Sequence, residues 1–212
     1  MSNFERFLDT FFKWPIIVEY TPAILSGMLV TILIGAAVVA TGILLGLLLA
    51  VLRSYRLRIL SWPIIIFADI MRALPPLVLV LLFFFGLPNL GVSLSGFTVL
   101  WLVLSLTLAA FAEEIFWAGI TSVRKGQWDA ARASGLTATQ ALIYIILPQA
   151  VRITIPPLTN RTIAIVKNTA LGTVIGVPEI LNQATTAVSF AGNATPLTLG
   201  ALAYLVLFLP VV

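Results

Sequence analysis

The chain has 212 residues, 60% of them hydrophobic and 9% charged, with a net charge of +4. Soluble domains carry about 25% charged residues, so an ordinary soluble fold is excluded, and basic residues scattered between apolar runs read as a topology signal rather than a nucleic-acid footprint. Cys and His are both absent, which removes thiol chemistry, disulfides, histidine bases and the usual soft-metal sites, and no metal site is expected.

Taken in chain order, Phe4, Phe7, Leu8, Phe11, Phe12 and Ile16 recur at helical spacing between charges. Residues 1–20 are expected to hold an amphipathic helix lying along the membrane interface; a partly ordered leader fits the same pattern. Glu5, Arg6, Asp9, Lys13 and Glu19 make this stretch unlike the apolar core of a cleavable signal. Thr21-Pro22 then precedes the first long apolar run, Ile24 to Leu52, which predicts a first transmembrane helix, since about 20 apolar residues span a bilayer. Gly27, Gly35, Ala36, Ala40, Gly42 and Gly46 give it small residues, which let helices approach closely in lipid.

Trp62 to Leu87 reads as the second span and carries Asp69, Arg72 and Pro75-Pro76. A short loop around Pro88 to Gly96 holds no Lys or Arg. Phe97 to Ile120 reads as the third span, with Glu113 and Glu114 near its end, and Ile155 to Ile180 as the fourth. The polar stretch Asn182 to Pro196 reads as a second loop without basic residues. A fifth span starts at Leu197 and is expected to be cut short at Val212. Arg53, Arg56, Arg58, Arg124, Lys125 and Arg132 all fall in loops of one side, which the positive-inside rule makes cytoplasmic; the N-terminus is then outside. The expected architecture is all-α, a single membrane domain over residues 1–212, with no internal repeat.

One polar insert separates the apolar runs. Gly126 to Pro148 reads GQWDAARASGLTATQALIYIILP. Trp128 to Ser134 uses good helix formers with small residues on one side. Gly135 should end that helix, because glycine takes the left-handed C′ conformation without steric cost. Thr137 and Gln140 have the spacing of a capping box, so a second helix should start there. Pro148 should mark where that second helix gives way.

These residues resemble the loop of binding-protein-dependent ABC importer permeases, whose pattern is E-A-A, three residues, Gly, nine residues, then I-x-L-P. The matching positions are Asp129, Ala130, Ala131, Gly135, Ile145, Leu147 and Pro148, with Asp129 in place of Glu. In that family the loop is a cytoplasmic coupling helix that docks on an ATPase subunit. Other stretches resemble the polar amino-acid permeases. Arg72 to Leu77, RALPPL, is similar to R-G-T-P-L-L, departing at Ala73 and Leu74. Glu113 to Ile120 is similar to A-E-I-x-R-x-G-I, with Trp117 in place of the arginine. Pro156 to Asn160 and Lys167 to Leu171 are similar to P-P-L-T and K-N-S-S/T.

Ionisable residues inside a span need a partner or a water-filled cavity. Asp69 and Arg72 lie one turn apart and are placed to pair. Arg72 beside the broken backbone at Pro75-Pro76 also suits a carboxylate, because its guanidinium is a planar bidentate donor. Glu114 is expected to pair with Arg124 or Arg132, and adjacent glutamates are not expected to share one partner. Asn168 is expected to face a cavity. Thr169 either joins it or returns its hydroxyl to its own helix, and Lys167 either adds positive charge or snorkels to the interface. The expected substrate-binding set is Arg72, Asp69, Lys167, Asn168 and Thr169.

The resemblance implies a five-helix permease of the type I ABC importer core, multi-pass in a bacterial inner membrane, importing a polar or acidic L-amino acid by alternating access. It implies a second permease subunit, identical or related, two ATPase subunits and an external solute-binding protein. No G-x-x-x-x-G-K-[ST] occurs in the chain, so ATP is expected on the partner ATPase and no cofactor on this chain. An ion-coupled secondary transporter is the alternative; it would show inverted repeats and would have no use for a coupling loop. A membrane-embedded enzyme would have only carboxylates such as Asp69 and Glu113 to work with.

Overall fold

The computed structural model describes residues 2–211, and the regular elements among them are all helical. Ser2 opens α1 (Asn3–Phe11): its hydroxyl accepts from the Glu5 N–H while the Glu5 carboxylate accepts from the Ser2 N–H. This reciprocal box satisfies two of the orphan donors of a helix start. No residue of α1 is buried. The helix is shorter than the 1–20 stretch expected of it, because α2 (Trp14–Ser54) begins ten residues before the apolar run at Ile24 and passes through Pro22. The buried positions of α2 are Ile24, Gly27, Thr31, Ile34, Gly35, Val38, Gly42, Gly46 and Ala50. Steps of three and four residues make them one stripe.

The second expected span is broken. α3 (Arg58–Ala73) ends where Leu74 turns extended, with φ −90° and ψ 135°, ahead of Pro75, and α4 (Pro76–Gly86) restarts the helix. The extended conformation at Leu74 follows from the proline that comes after it. α5 (Gly96–Ser122) is continuous and apolar. α6 (Lys125–Ala133) and α7 (Ala138–Ala141) form the polar insert. A π-helical turn over Leu142–Ile146 then leads into α8 (Leu147–Lys167).

Pro148 does not end the helix as expected. Its ring would collide with the carbonyl four residues back, but the wide turn before it moves that carbonyl aside. The Leu147 N–H reaches back five residues to the Leu142 carbonyl, and the Gln149 side chain donates to the Ile145 carbonyl at 2.6 Å. α8 also runs through Pro156 and Pro157 and continues as a 3-10 run, Asn168–Ile175. The polar stretch expected to be a loop is instead α9 (Ile180–Ala191), and α10 (Thr195–Phe208) follows. Glu179 caps α9, which is why so polar a segment is helical.

Among the described residues three helical segments are long and apolar enough to cross a membrane: Asn3–Ser54, Gly96–Ser122 and Ala138–Ile175. The pair Arg58–Ala73 and Pro76–Leu90, bent by 102°, passes the same test only if the two helices count as one span, and α10 is an apolar helix of 14 residues. At a rise of about 1.5 Å per residue α10 covers about 21 Å of a hydrocarbon core about 30 Å thick.

The chain divides into two compact units. The first takes residues up to Val38, then Pro76–Leu104, then Val166 onwards. Its buried side chains include Ile34, Leu79, Val80, Leu100, Ile180 and Ala184. α9 packs on α10, and α1 lies against α10 through the Lys13 N–H to Thr195 Oγ1 (3.1 Å) and the Asn193 side chain to the Asp9 carbonyl (2.8 Å).

The second unit takes Val39–Pro75 and Ser105–Ile165. Its core is Ala50, Ala112, Phe116, Ile120, Val123, Leu142, Ile146 and Ala150. Here the small residues of α2 serve close approach: a Cβ on Gly46 would stand 2.5 Å from the Ala112 Cβ and 2.8 Å from the Ala109 carbonyl oxygen. Only glycine lets α2 and α5 meet at that spacing.

Candidate coupling segment and charged cluster

α6 stands on the surface of the second unit, held by the side chains it buries. Ala131 is buried, and Trp128 packs half-buried on the core formed by Phe116, Ile120 and Leu142. Asp129, Ala130 and Ala133 are exposed. The C-terminal end is a complete Schellman turn. Gly135 has φ +86°, its N–H bonds the Arg132 carbonyl at 3.1 Å, and the Leu136 N–H bonds the Ala131 carbonyl at 3.2 Å. The Arg132 guanidinium adds a bond to the Leu136 carbonyl at 2.9 Å. The expected box follows: Thr137 accepts from the Gln140 N–H, and the Gln140 side chain accepts from the Thr137 N–H. Leu147 and Pro148 open α8. Tyr55, just past the end of α2, donates to Thr139 Oγ1 at 3.3 Å and so ties the insert to the α2–α3 corner. The result is a short helix closed at its C-terminal end, seated on Trp128 and Ala131, with one face bare.

In the same unit the span carboxylates form one cluster. Arg53 Nη1 lies 3.0 Å and 3.1 Å from the two oxygens of Glu113, and 3.5 Å from Glu114 Oε2. Arg72 Nη1 lies 3.3 Å from the same Glu114 oxygen, its Nη2 2.6 Å from Asp69 Oδ1, and its Nε bonds the Ala68 carbonyl at 3.2 Å. The Arg53 guanidinium also lies 3.9 Å from the centre of the Trp117 ring, a favourable cation–π distance.

Two expectations are corrected here. Glu114 pairs with Arg53 and Arg72, not with Arg124 or Arg132; Arg132 is turned back onto its own helix end. Adjacent Glu113 and Glu114 do share a partner, because Arg53 reaches between them from the last turn of α2. The expected Asp69–Arg72 pair is present, and it is the accessible end of the cluster, with the Asp69 side chain 60% exposed against 0% for Glu113.

The remaining expected residues belong to the first unit. Thr169 is buried and its hydroxyl donates to the Val166 carbonyl at 2.8 Å, so of its two expected fates it takes the backbone one. Asn168 is half-buried at the start of the 3-10 run. Lys167 is exposed, with Nζ 5.7 Å from the Phe208 ring centre, beside a largely apolar cavity shared with Tyr204 and Leu205.

The sequence reading missed Glu179. It is fully buried and accepts four hydrogen bonds, from Thr173 Oγ1 (2.5 Å), Tyr204 Oη (2.8 Å) and the N–H groups of Leu181 and Asn182 (both 2.8 Å). Pro178-Glu179 ahead of Ile180-Leu181 was the available sign of a helix start.

Comparison with known proteins agrees with this architecture. Residues 42–212 match the family model described as binding-protein-dependent transport system inner membrane component. The chain is 36% identical over 173 residues to the probable amino-acid ABC transporter permease protein YckA of Bacillus subtilis (strain 168), covering 82% of this chain and 76% of that one. It is 37% identical over 183 residues to the probable glutamine ABC transporter permease protein GlnM of the same organism, covering 86% and 77%. A crystal structure of an amino acid ABC transporter with histidines superposes with a TM-score of 0.84 at 32% identity, covering 92% of each chain. The pattern of the polar insert, the all-helical multi-pass fold and these matches agree: the chain belongs to the family of inner membrane components of binding-protein-dependent transport systems, and it is a permease subunit.

Proposed function

We propose that this permease is the membrane path of an ATP-driven amino-acid importer in the cytoplasmic membrane of a bacterium, and that α6 passes the state of a separate ATPase subunit to that path. The observation that carries the coupling reading is the bare helix, closed at one end and anchored beneath. A lever must be rigid where it is pushed and exposed where it docks, and α6 has a Schellman turn at one end, Trp128 and Ala131 beneath it, and Asp129, Ala130 and Ala133 outward. A second permease subunit, two ATPases and an external solute-binding protein complete the machine in this reading. ATP belongs to the partner, and alternating access follows from closure of the ATPase pair.

The substrate reading rests on Asp69 and Arg72. An amino acid carries a carboxylate and an ammonium on one carbon, and an exposed Asp–Arg pair is the matching set of charges. The substrate carboxylate takes the place of the Asp69 oxygen on Arg72, which frees Asp69 for the ammonium. The cluster counts three carboxylates, Asp69, Glu113 and Glu114, against two guanidiniums, Arg53 and Arg72. This surplus of acid favours the ammonium and disfavours a second carboxylate on the substrate, so we narrow the expected polar or acidic class to polar side chains, glutamine first. The name of the relative at 37% identity supports that choice. Asn168 remains a candidate for the side chain; Lys167 and Thr169 are weaker ones, given the Phe208 and Val166 contacts.

The same acid surplus, with the histidines named in the solved relative, favours a second reading, a cationic amino acid. Uptake of glutamine by the purified complex in liposomes decides between them. Glutamine is expected to be carried best, with arginine, histidine and glutamate competing poorly. Arg72→Ala and Asp69→Asn should each cut transport by about tenfold or more while ATP hydrolysis without substrate persists. Best transport of arginine or histidine would establish the second reading.

A further inference from the structure

At the α2–α3 corner the second unit has a cavity of about 410 Å³ lined by Arg53, Arg56, Arg58, Ser61, Trp62, Ile65, Trp117 and Thr121. Three guanidiniums line it and no carboxylate does. Arg53 is neutralised by Glu113 and Glu114, but Arg56 and Arg58 are exposed and join no ion pair among the described residues. Arg56 also has φ +57°, the one non-glycine residue at positive φ in the structure's described backbone. Arginine gains nothing from that conformation, which costs about 1–2 kcal/mol. Glycine would remove the strain, so an arginine held there is consistent with a role for its side chain. Beside the two arginines, three apolar side chains are bare: Leu57 is exposed, Ile59 83% exposed and Trp62 62% exposed.

A free anion explains the arginines but not these neighbours. A lipid explains both, since it brings a phosphate for the guanidiniums and acyl chains for Ile59 and Trp62. Aromatic and basic residues together mark the interfacial layer, and basic pockets on the cytoplasmic side suit anionic headgroups. We infer that the α2–α3 corner is a binding site for an anionic phospholipid of the inner leaflet, with Arg56 and Arg58 holding its phosphate and Trp62 and Ile59 lying along its chains. The inference rests on the cytoplasmic placement of this corner, and the binding measurement below does not depend on it.

The test is native mass spectrometry of the purified permease complex titrated with phosphatidylglycerol, with phosphatidylcholine and glycerol phosphate as separate arms. The wild type should retain phosphatidylglycerol in preference to phosphatidylcholine. Arg56→Gly with Arg58→Gln should weaken that retention about tenfold or more, at roughly 1 kcal/mol per basic residue. The glycine fits the positive φ, so the variant keeps the corner folded, and Arg56→Lys with Arg58→Lys should restore most of the binding. Equal retention by wild type and the charge-free variant, or equal retention of phosphatidylcholine, overturns the site. Displacement of the lipid by glycerol phosphate at millimolar concentration overturns the lipid and leaves a soluble anion. If the site holds by this measure but external reagents label the corner in intact cells, the inner-leaflet assignment is overturned and only the binding of an anionic lipid remains.

Discussion

Arg53 Nη1 lies within 3.1 Å of both carboxylate oxygens of Glu113, and Glu113 is wholly buried. Removing Arg53 leaves the buried Glu113 without its counter-charge, whereas removing Glu113 leaves Arg53 the longer contact to Glu114. Arg53→Ala should therefore destabilise the protein by about 3–5 kcal/mol and Glu113→Ala by less, while Arg53→Met combined with Glu113→Leu should cost less than the sum of the single changes. Thermal melting in a fixed detergent measures this. Additive losses in the double variant would mean that the two residues act separately.

The proposed coupling role of α6 gives a sharper test because the parts of the helix are separable. Gly135 sits at φ +86°, which proline cannot adopt. Gly135→Pro should disrupt the end of α6, and Asp129→Lys should leave the helix intact while reversing the charge on its exposed face. Both should lower transport about fivefold or more relative to ATP hydrolysis. Unchanged transport per ATP in both variants would remove the coupling role.

Membrane sidedness can be read directly, since the chain contains no cysteine. Ser134→Cys, at the end of α6, is expected to be cytoplasmic; Asn89→Cys and Ser189→Cys are expected to be external. All three positions are exposed. An impermeant maleimide on intact cells should label the last two and spare the first. Labelling of Ser134→Cys under those conditions contradicts the orientation.

Glu179 should matter for stability rather than charge transport. Each of its oxygens accepts two hydrogen bonds: Oε1 from Thr173 and the Asn182 N–H, Oε2 from Tyr204 and the Leu181 N–H. Glu179→Gln replaces one oxygen by a donor, so two donors lose their acceptor at about 1–3 kcal/mol each. Tyr204→Phe removes one donor and should be the milder change. Equal melting temperatures for Glu179→Gln and the wild type would show that water or lipid replaces the lost bonds.

Much of this protein is determined by local chemistry and so was legible in the residues. The apolar runs, the capping box at Thr137 and Gln140 and the stop at Gly135 depend on neighbours within a few positions; of the small residues of α2, Gly27, Gly35, Gly42 and Gly46 are buried while Ala36 and Ala40 are exposed. The exceptions follow a pattern. Pro148 is a helix breaker only if the turn before it is an α-turn, and the π-helical turn over Leu142–Ile146 cannot be read from propensity. Asn182 to Pro196 is polar enough for a loop, yet α9 forms because Glu179 caps it and Ala184 and Ala187 pack inward.

The charged cluster belongs to the tertiary structure entirely. Arg53 and Glu113 are sixty positions apart, and nothing in either local sequence names the other. Local sequence sets which conformations each segment can adopt. Which charges meet is decided by burial, because a carboxylate drawn out of water must find a guanidinium wherever the packing of α2 on α5 has placed one.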